Sequence, residues 1–351
     1  MRLVCRLTNY TSTNSTKQQI GGAMTGLPMT LGCWDYDRVQ PLIDGRVRPD
    51  GIDLRFLNMI VEETFFRMAK FREFDTSEMS MSSFVVSHFK ERRPFVAIPV
   101  FPSRFFRHSC IYVNADAEIN DPKDLIGKRF GCPEYQMTAP VWIRGILSDH
   151  YGVPVDGPTY VTGGEETPNR SEKISITLPE NFRLERIGPE DTLAQMLAEG
   201  RIDAFHTARK PSTYDGVKVK RLFPNYVDVE KAYWHDTGIF PIMHVIAIRR
   251  EVYEQNRWVA MNLFKAFREA QNLCYAGLKE TAALKGMLPW FNAHVEEAFD
   301  LMGDDFWAYG VEKNRATLDV FLRYHHEQGL SPRKLEVDEM FAPETYEEFV
   351  I

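Results

Sequence analysis

Short apolar runs that end in polar residues just before a helical pattern recur along this chain, and they restrict its fold more than any other feature. The run Met29–Trp34 leads into a polar stretch, and Phe74–Met79 leads into several serines. Between them, Ile52–Leu57 alternates as a strand does, and Val61–Phe71 has one apolar helical face. Strands that end in this way are typical of open α/β sheets, which present binding sites at their carboxyl edges. The order of elements therefore predicts an α/β protein.

Residues 97–113 combine positive charge with aromatic side chains between two predicted strands. Arg104, Arg107 and His108 are interleaved there with phenylalanines, of which Phe105 lies between the two arginines. Arginine is rarely buried without a partner, so cations between apolar strands favour a site for an anionic ligand. The alternative is a surface turn whose arginines point to water, because most arginine is exposed.

Two further polar clusters follow predicted strands near the start of the chain. Asp37 and Arg38 follow the first strand, where they are either ligand contacts or a helix cap and a surface charge. Ser80 and Ser82 follow the run Phe74–Met79. Small hydroxyl residues at the start of a helix suit an anion, although simple N-capping explains them equally well.

Another such cluster lies in the middle of the chain. Glu134, Gln136 and Thr138 precede a predicted helix at residues 139–151, where a helix start faces the edge of a sheet. Their side chains are candidates for ligand binding. The structural alternative is again capping of the helix.

Two histidines also occupy positions at strand ends. His206 follows the predicted strand 202–205 and is close to Arg209, so it is a site candidate beside a cation. His244 precedes the predicted strand 245–248, after a Gly- and Pro-containing stretch. A lone histidine is nevertheless more often structural than functional.

Composition restricts the function classes. The 351 residues suffice for two lobes, and the net charge of -7 without a basic tract gives nucleic-acid binding no support. No run approaches the ~18 apolar residues of a membrane span. Five cysteines scattered singly favour a reduced, cytoplasmic protein over a disulfide scaffold or zinc module. Residues 1–27 are polar, lack the apolar core of a secretory signal and are predicted to be a disordered extension.

Three segments together resemble the type 2 periplasmic-binding fold of the thiamine-precursor and nitrate/taurine binding proteins. They are Asp121–Gly131, Leu197–Ala204 and Val245–Tyr253. The resemblance implies two α/β lobes with a ligand cleft between them, joined by crossing strands at 111–113 and 244–248. Lobe 1 would comprise residues 28–114 and 242–351, and lobe 2 residues 115–241. A fold of this kind specifies function poorly.

A narrower similarity involves the segments Cys33–Arg38, Asp44–Asp53, Phe95–His108, Pro133–Thr138 and Glu339–Thr345. These are similar to the 4,5-dihydroxyphthalate decarboxylases, which use the binding-protein fold inside the cell to convert 4,5-dihydroxyphthalate to protocatechuate. The similarity implies a carboxy-lyase of the cytoplasm, a small aromatic carboxylate as substrate, and no cofactor. No residue spacing demands a metal, and a divalent metal and a homo-oligomeric state are left open.

The similarity also implies roles for the candidate residues. Arg104 and Arg107 would hold one carboxylate and Arg38 the other, while Phe105 or Tyr36 would pack on the ring. A general acid would protonate the ring carbon that carries the departing carboxylate, and a second group would accept the phenol's hydrogen bond. The candidates for the acid are His108, His206 and His244, of which His108 and His244 are favoured, and those for the acceptor are Glu134 and Asp37.

Two other functions remain open from the sequence. The same arginines suit a substrate-binding protein of an ABC transporter or a sensor for an aromatic or other carboxylate. Another enzyme on the same scaffold, of pyrimidine or thiamine-precursor metabolism, is the third possibility. The Cys-rich motif expected of a precursor synthase is missing from this sequence, which disfavours that last interpretation.

Overall fold

The computed structural model describes residues 26–170 and 174–346. Its strands are β1 Leu27–Cys33, β2 Ile52–Asn58, β3 Thr76–Ser80, β4 Phe95–Ile98, β5 Ile111–Asn114, β6 Arg129–Cys132, β7 Thr159–Thr162, β8 Arg183–Arg186, β9 Ala204–His206, β10 Val219–Arg221 and β11 His244–Arg249. Its α-helices are α1 Gln40–Ile43, α2 Val61–Phe71, α3 Met81–His88, α4 Thr138–Tyr151, α5 Leu193–Ala198, α6 Tyr226–Thr237, α7 Arg250–Gln255, α8 Trp258–Leu278, α9 Phe291–Met302 and α10 Arg315–Glu327.

The strands form two sheets, and each is the centre of one lobe. The first sheet has the order β2-β1-β3-β11-β4, and the second has the order β10-β5-β9-β6-β7-β8. The pairs β1–β2, β1–β3, β6–β7, β6–β9 and β7–β8 are parallel, while β11 in the first sheet and β5 in the second run antiparallel to their neighbours. The predicted α/β fold with two lobes is confirmed.

The chain crosses from the first lobe to the second after β4 and returns before β11. The two crossing segments lie side by side, because Met243 N–H donates to Ser103 O at 2.8 Å and Phe105 N–H donates to Pro241 O at 3.1 Å. The predicted crossing strands 111–113 and 244–248 do not form this contact. Each has already joined the sheet of the lobe that it enters. The boundary placed after residue 114 therefore lies earlier, within residues 99–110, since β5 pairs in the second sheet.

Segments near both ends of the described residues contact the first sheet. The predicted disordered extension, residues 1–27, lies outside the described residues as far as position 25, and Leu27 already belongs to β1. Near the other end, Ala97 of β4 donates to Met340 O at 3.2 Å and accepts from Ala342 N–H at 2.8 Å. The segment after α10 thus covers the outer edge of β4.

Helix α10 packs against α4 of the second lobe, and we call this contact the α4–α10 interface. At Gly145 a Cβ atom would lie 2.1 Å from the ring of Tyr324, so only glycine permits this helix approach. The buried Arg144 donates to Gln328 Oε1 at 2.7 Å, and Trp142 Nε1 donates to a backbone carbonyl of the crossing segment, Ile242 O, at 2.8 Å. Close packing of this kind resists sliding.

No α-helix in the described part of the chain is both long and apolar enough to cross a bilayer.

Candidate active site

A cavity of about 330 Å³ lies between the two lobes. Both sheets contribute to it through the residues that follow their strands, as the polar strand ends predicted. Its lining consists of Trp34, Tyr36, Ile60, Val61, Glu62, Phe65, Ser80, Ser83, Ser103, Phe105, Arg107, Gln136, Met137, Thr138, Ala139, Ala208, Arg209, Met243 and His244. Of the predicted site residues, Tyr36, Ser80, Phe105, Arg107, Gln136, Thr138, Arg209 and His244 are therefore brought together.

Hydroxyl and amide groups join the lobes across one wall of the cavity. Ser80, where β3 meets α3, lies with its Oγ 2.8 Å from Oγ1 of Thr138 at the start of α4. The backbone N–H of Ser82 donates to the same Thr138 oxygen at 3.0 Å, and Ser83 Oγ donates to Gln136 Oε1 at 3.0 Å. Ser82 thus acts through its backbone, because its side chain does not line the cavity. These bonds hold the lobes closed in this structure.

A buried carboxylate, a histidine and a tyrosine form a hydrogen-bonded group at one end of the cavity. Glu78 Oε1 lies 2.5 Å from His244 Nδ1 and accepts a bond of 2.6 Å from the Tyr36 hydroxyl. Its other oxygen accepts from Trp34 N–H at 3.2 Å. In the antiparallel pair β3–β11, His244 is opposite Ser80 and Ile246 is opposite Glu78. Glu78 and His244 are therefore diagonal neighbours on one face, which long side chains can bridge.

The electrostatics of this group keep Glu78 ionised. Burial alone would raise the pKa of Glu78, but the His244 ring and the hydrogen bonds from Tyr36 and Trp34 hold it below the usual range. Burial and the charge of Glu78 raise the pKa of the Tyr36 phenol, so Tyr36 remains a donor. The Phe65 ring meets the His244 ring edge-on at 4.8 Å and fixes its orientation. With Nδ1 bound to Glu78, Nε2 is the ring nitrogen left to serve a ligand.

Arg107 is a buried cation in the cavity wall, with 6% of its surface exposed. Its guanidinium lies 4.8 Å from the centre of the Phe105 ring, and its Nε is 3.1 Å from Met243 Sδ. Among residues 26–170 and 174–346, no carboxylate forms an ion pair with Arg107. Since a buried charge is costly unless it is paired, this guanidinium is suited to a carboxylate supplied by a ligand.

The other two predicted arginines are satisfied by the protein itself, which corrects their assignment as ligand contacts. Arg104 donates to Phe240 O at 2.9 Å and to Ala308 O at 2.7 Å, and it also contacts Asn314. It joins the crossing segment to the region before α10 and does not line the cavity. Burial lowers the pKa of Arg104 to about 10.

Arg38 lies behind the cavity wall. Its guanidinium lies between the rings of Tyr36 and Trp307, at 4.2 and 4.1 Å from their centres, and its Nε donates to Pro102 O at 2.7 Å. Asp37 is exposed and accepts from Arg38 at 2.9 Å. Neither residue reaches the cavity, so Arg38 supports Tyr36 from behind and Asp37 is not placed to meet a phenol.

Two of the three candidate histidines are buried away from the cavity, which corrects their assignment as acids. His108 packs among the rings of Tyr151, Phe223 and Tyr233 at 5.3 to 5.9 Å, and burial lowers its pKa to about 4. The ring of His206 lies 3.9 Å from that of Phe130, and burial lowers its pKa well below the usual range. Both are neutral aromatic side chains of the core at neutral pH.

Glu134 is also displaced from its predicted role. Its carboxylate is fully buried and forms an ion pair with Arg170 at 2.8 Å. It accepts from Gln136 Nε2 at 3.0 Å, and Gln136 in turn accepts from Ser83. Glu134 therefore orients the amide that lines the cavity, while its own oxygens do not reach the lining.

Sequence reasoning missed two acidic residues, Glu78 and Glu62. Every residue of β3 is buried, so an acidic residue inside this strand was a signal that it had a special partner. Glu62 lies in the first turn of α2, where acidic residues are common, and nothing in the sequence distinguished it. In the part of the chain described here, no group of three His, Cys, Asp or Glu side chains is arranged to hold a metal ion.

Solved structures with a similar course of the chain include two sulfonate-binding proteins. The periplasmic aliphatic sulphonate binding protein SsuA from Escherichia coli is 11% identical, with a TM-score of 0.44 over 91% of this chain and 99% of that chain. A putative periplasmic sulfonate-binding protein SsuA from Methylobacillus flagellatus is 13% identical, with a TM-score of 0.46 over 92% and 93%. No protein-family model matches the chain.

Two curated proteins are much more similar in sequence. A 4,5-dihydroxyphthalate decarboxylase from Comamonas testosteroni is 41% identical over 330 residues, which are 93% of this chain and 100% of that protein. A 4,5-dihydroxyphthalate decarboxylase from Pseudomonas putida is 41% identical over 191 residues, 54% of this chain and 74% of that protein. With this identity over its length, the chain belongs to the 4,5-dihydroxyphthalate decarboxylase family.

Proposed function

We propose that this protein is a carboxy-lyase that converts 4,5-dihydroxyphthalate to protocatechuate and CO2. The observation that carries the proposal is one cavity with two features: a buried guanidinium, Arg107, that forms no ion pair with a described carboxylate, and a histidine held by a buried carboxylate, His244 with Glu78. The family relatives that match this chain are named for the same reaction.

The substrate would be anchored through the carboxylate that it retains. Arg107 can form a bidentate contact with that group, and the Phe105 ring beside it offers a surface for the aromatic ring. Gln136, Ser80 and Thr138 provide hydrogen-bonding groups for the two phenols. A cavity of about 330 Å³ is within the usual range for a small-molecule site.

The reaction then needs one proton and no electron sink. The phenolic oxygen para to the departing carboxylate pushes electrons into the ring, and protonated His244 delivers its proton to the carbon that bears that carboxylate. The carbon–carbon bond breaks, its electron pair restores the aromatic ring, and CO2 leaves. His244 regains a proton from water, which completes the cycle. General acid catalysis of this kind contributes roughly 10²–10⁴-fold.

Glu78 and Tyr36 are positioning residues in this scheme. The ionised Glu78 holds Nδ1 of His244, compensates the charge of the protonated ring and directs Nε2 to the substrate. Tyr36 donates to Glu78 and is therefore engaged as a donor within the group. The arrangement resembles the base–orienter logic of other acid–base sites, with the acid and its orienter on adjacent strands.

The test is to incubate the purified protein with 4,5-dihydroxyphthalate and to measure CO2 and protocatechuate, with a chelator and then with added divalent metal. We expect equal release in both cases. Release that depends on metal would overturn the metal-free mechanism. No release from this compound or from related dihydroxybenzoates would overturn the function, and a thermal shift without release would favour the binding-protein alternative.

The location in the cytoplasm and the homo-oligomeric state stay predictions. Cell fractionation tests the first, and light scattering of the purified protein tests the second.

A further inference from the structure

An ion pair joins the two lobes at the mouth of the cavity. Glu62, in the first turn of α2, belongs to the first lobe, and Arg209, shortly after β9, belongs to the second. The Arg209 Nη1 atom lies 2.6 Å from Glu62 Oε1, and both side chains line the cavity. Their side chains are 61% and 26% exposed, so Arg209 is free to change partner at small cost.

The positive and negative charges of the side chains that line the cavity nearly cancel each other. Glu78 would balance a proton on His244, and Glu62 balances Arg209, so that among the described lining residues Arg107 alone contributes a charge without a paired carboxylate. Two carboxyls lie behind the lining, Glu165 near Arg209 and Glu230 near Arg107, and burial raises the pKa of each.

One uncompensated positive charge suits one carboxylate. The substrate of the proposed reaction carries two carboxylates and the product carries one. A cation on the departing carboxylate would stabilise the ground state, because that charge disperses into the ring as the bond breaks. Binding energy of this kind lowers KM and also lowers kcat.

Building on the proposed function, we propose that Glu62 is a specificity-determining residue, which holds Arg209 away from the departing carboxylate and so leaves the cavity with a single anchoring cation. Without Glu62, the Arg209 guanidinium at the mouth would be free to pair with a second carboxylate of a bound ligand. Glu62 thus favours turnover over tight capture of a dianion.

The experiment compares binding of two unreactive ligands, phthalate with two carboxylates and benzoate with one, by calorimetry. The variants are Glu62→Gln and the matched control Glu63→Gln. Glu63 shares the first turn of α2, pairs with Arg67 and does not line the cavity. We expect Glu62→Gln to bind phthalate about fivefold more tightly, the size typical of one partly exposed charge pair, and benzoate unchanged. Glu63→Gln should bind both as the wild type does.

A second variant separates the role of Arg209 from a general loss of negative charge. When Glu62→Gln is combined with Arg209→Gln, the increase in phthalate affinity should disappear. In the single variant Glu62→Gln, that increase should become smaller at high salt. With 4,5-dihydroxyphthalate, Glu62→Gln should lower KM and kcat together.

Phthalate that binds Glu62→Gln no more tightly than the wild type, including no binding to either, would overturn the proposal, and so would an equal gain for benzoate. These ligands do not react, so the result stands apart from the proposed function. Failure of the wild type to release CO2 would overturn that function alone.

Discussion

The second lobe makes two contrasting contacts. At the α4–α10 interface, Gly145 lets two helices approach until a single added methyl group would meet the Tyr324 ring, and the polar groups are buried. At the mouth, a partly exposed ion pair between Glu62 and Arg209 joins the lobes. Close-packed contacts are intolerant of small displacements, whereas exposed ion pairs exchange partners readily. The α4–α10 interface is therefore firm, and the contact at the mouth is adjustable.

This difference places the movement needed for substrate entry at the mouth. The proposed acid His244 and its partner Glu78 are on adjacent strands of one sheet, so their contact does not depend on how the lobes meet. The following variants test three properties one at a time: proton transfer, the packing of the α4–α10 interface and the binding of the substrate.

The largest effect is expected for His244→Asn. The variant loses the proposed proton donor, while the asparagine amide can still donate to the buried Glu78, so kcat should fall about 10²–10⁴-fold with little change in thermal stability. Steady-state kinetics and a melting curve measure the two quantities. A fall in activity that matches a fall in melting temperature would show that His244 only supports the fold.

A companion variant, Glu78→Gln, tests the positioning role. It should reduce kcat and also change the pH profile of kcat/KM, because the neutral amide no longer compensates the protonated ring. An unchanged pH profile would contradict the hypothesis that Glu78 positions His244 as the general acid.

Gly145→Ala should cost about 3 kcal/mol of unfolding free energy, since the added Cβ would lie 2.1 Å from the Tyr324 ring. The matched control is Gly277→Ala in α8, where the nearest atom is a lysine side-chain carbon at 3.4 Å. Helix propensity predicts that this control is stabilised by about 0.5–1 kcal/mol. Urea unfolding measures both, and equal effects would show that the α4–α10 interface is not tight.

Arg107→Gln should raise KM by roughly tenfold to hundredfold, as expected for losing a charge-assisted hydrogen bond of about 1.5–3 kcal/mol. Arg333→Ala is the control, because Arg333 pairs with Glu339 outside the cavity and should leave KM unchanged. Equal, small effects on kcat/KM in both variants would show that the anion anchor lies elsewhere.

The smallest effect concerns acid sensitivity at His108. Its pKa is about 4 in the folded protein and about 6.5 when unfolded, so the unfolded chain binds more protons between these values. The free energy of unfolding therefore falls as the pH drops through this window, by about 2 kcal/mol from pH 7 to pH 5 for this group alone. In His108→Phe, the free energy of unfolding should therefore fall by about 2 kcal/mol less between pH 7 and pH 5 than in the wild type. Urea unfolding at both pH values measures this difference. An identical loss in the variant would mean that His108 is not neutral in the core.

The strand ends and their polar residues could be predicted from the sequence. The spacing of the apolar residues and the polar residues that end each run are features of neighbouring positions in the chain. The bounds predicted for α2 match the structure, and the edges that carry Tyr36, Ser80, Thr138 and His244 do line the cavity. Local sequence did not distinguish Arg104 from Arg107, since both lie in one short stretch. Their difference arises from distant contacts: Arg104 meets Ala308 and Asn314, more than two hundred residues away.

Glu78 also shows that local sequence does not reveal contacts between distant residues. Its partner His244 is 166 residues away and reaches it only because β3 and β11 pair antiparallel. The pattern of β3 identified a strand, but the pairing that brings its acidic residue to His244 is a property of the sheet. His108 and His206, in contrast, had suitable neighbours in sequence and aromatic neighbours in space.

The hydrogen bond between Glu78 and His244 Nδ1 has a consequence for the origin of the new ring hydrogen. In the proposed mechanism, one imidazole nitrogen is committed to the carboxylate, so the ring can carry a single transferable proton to the substrate, and that proton must be replaced from solvent in each cycle. In deuterium oxide the product would therefore acquire one deuterium, at the carbon vacated by CO2. The isotope would identify the position of the lost carboxylate.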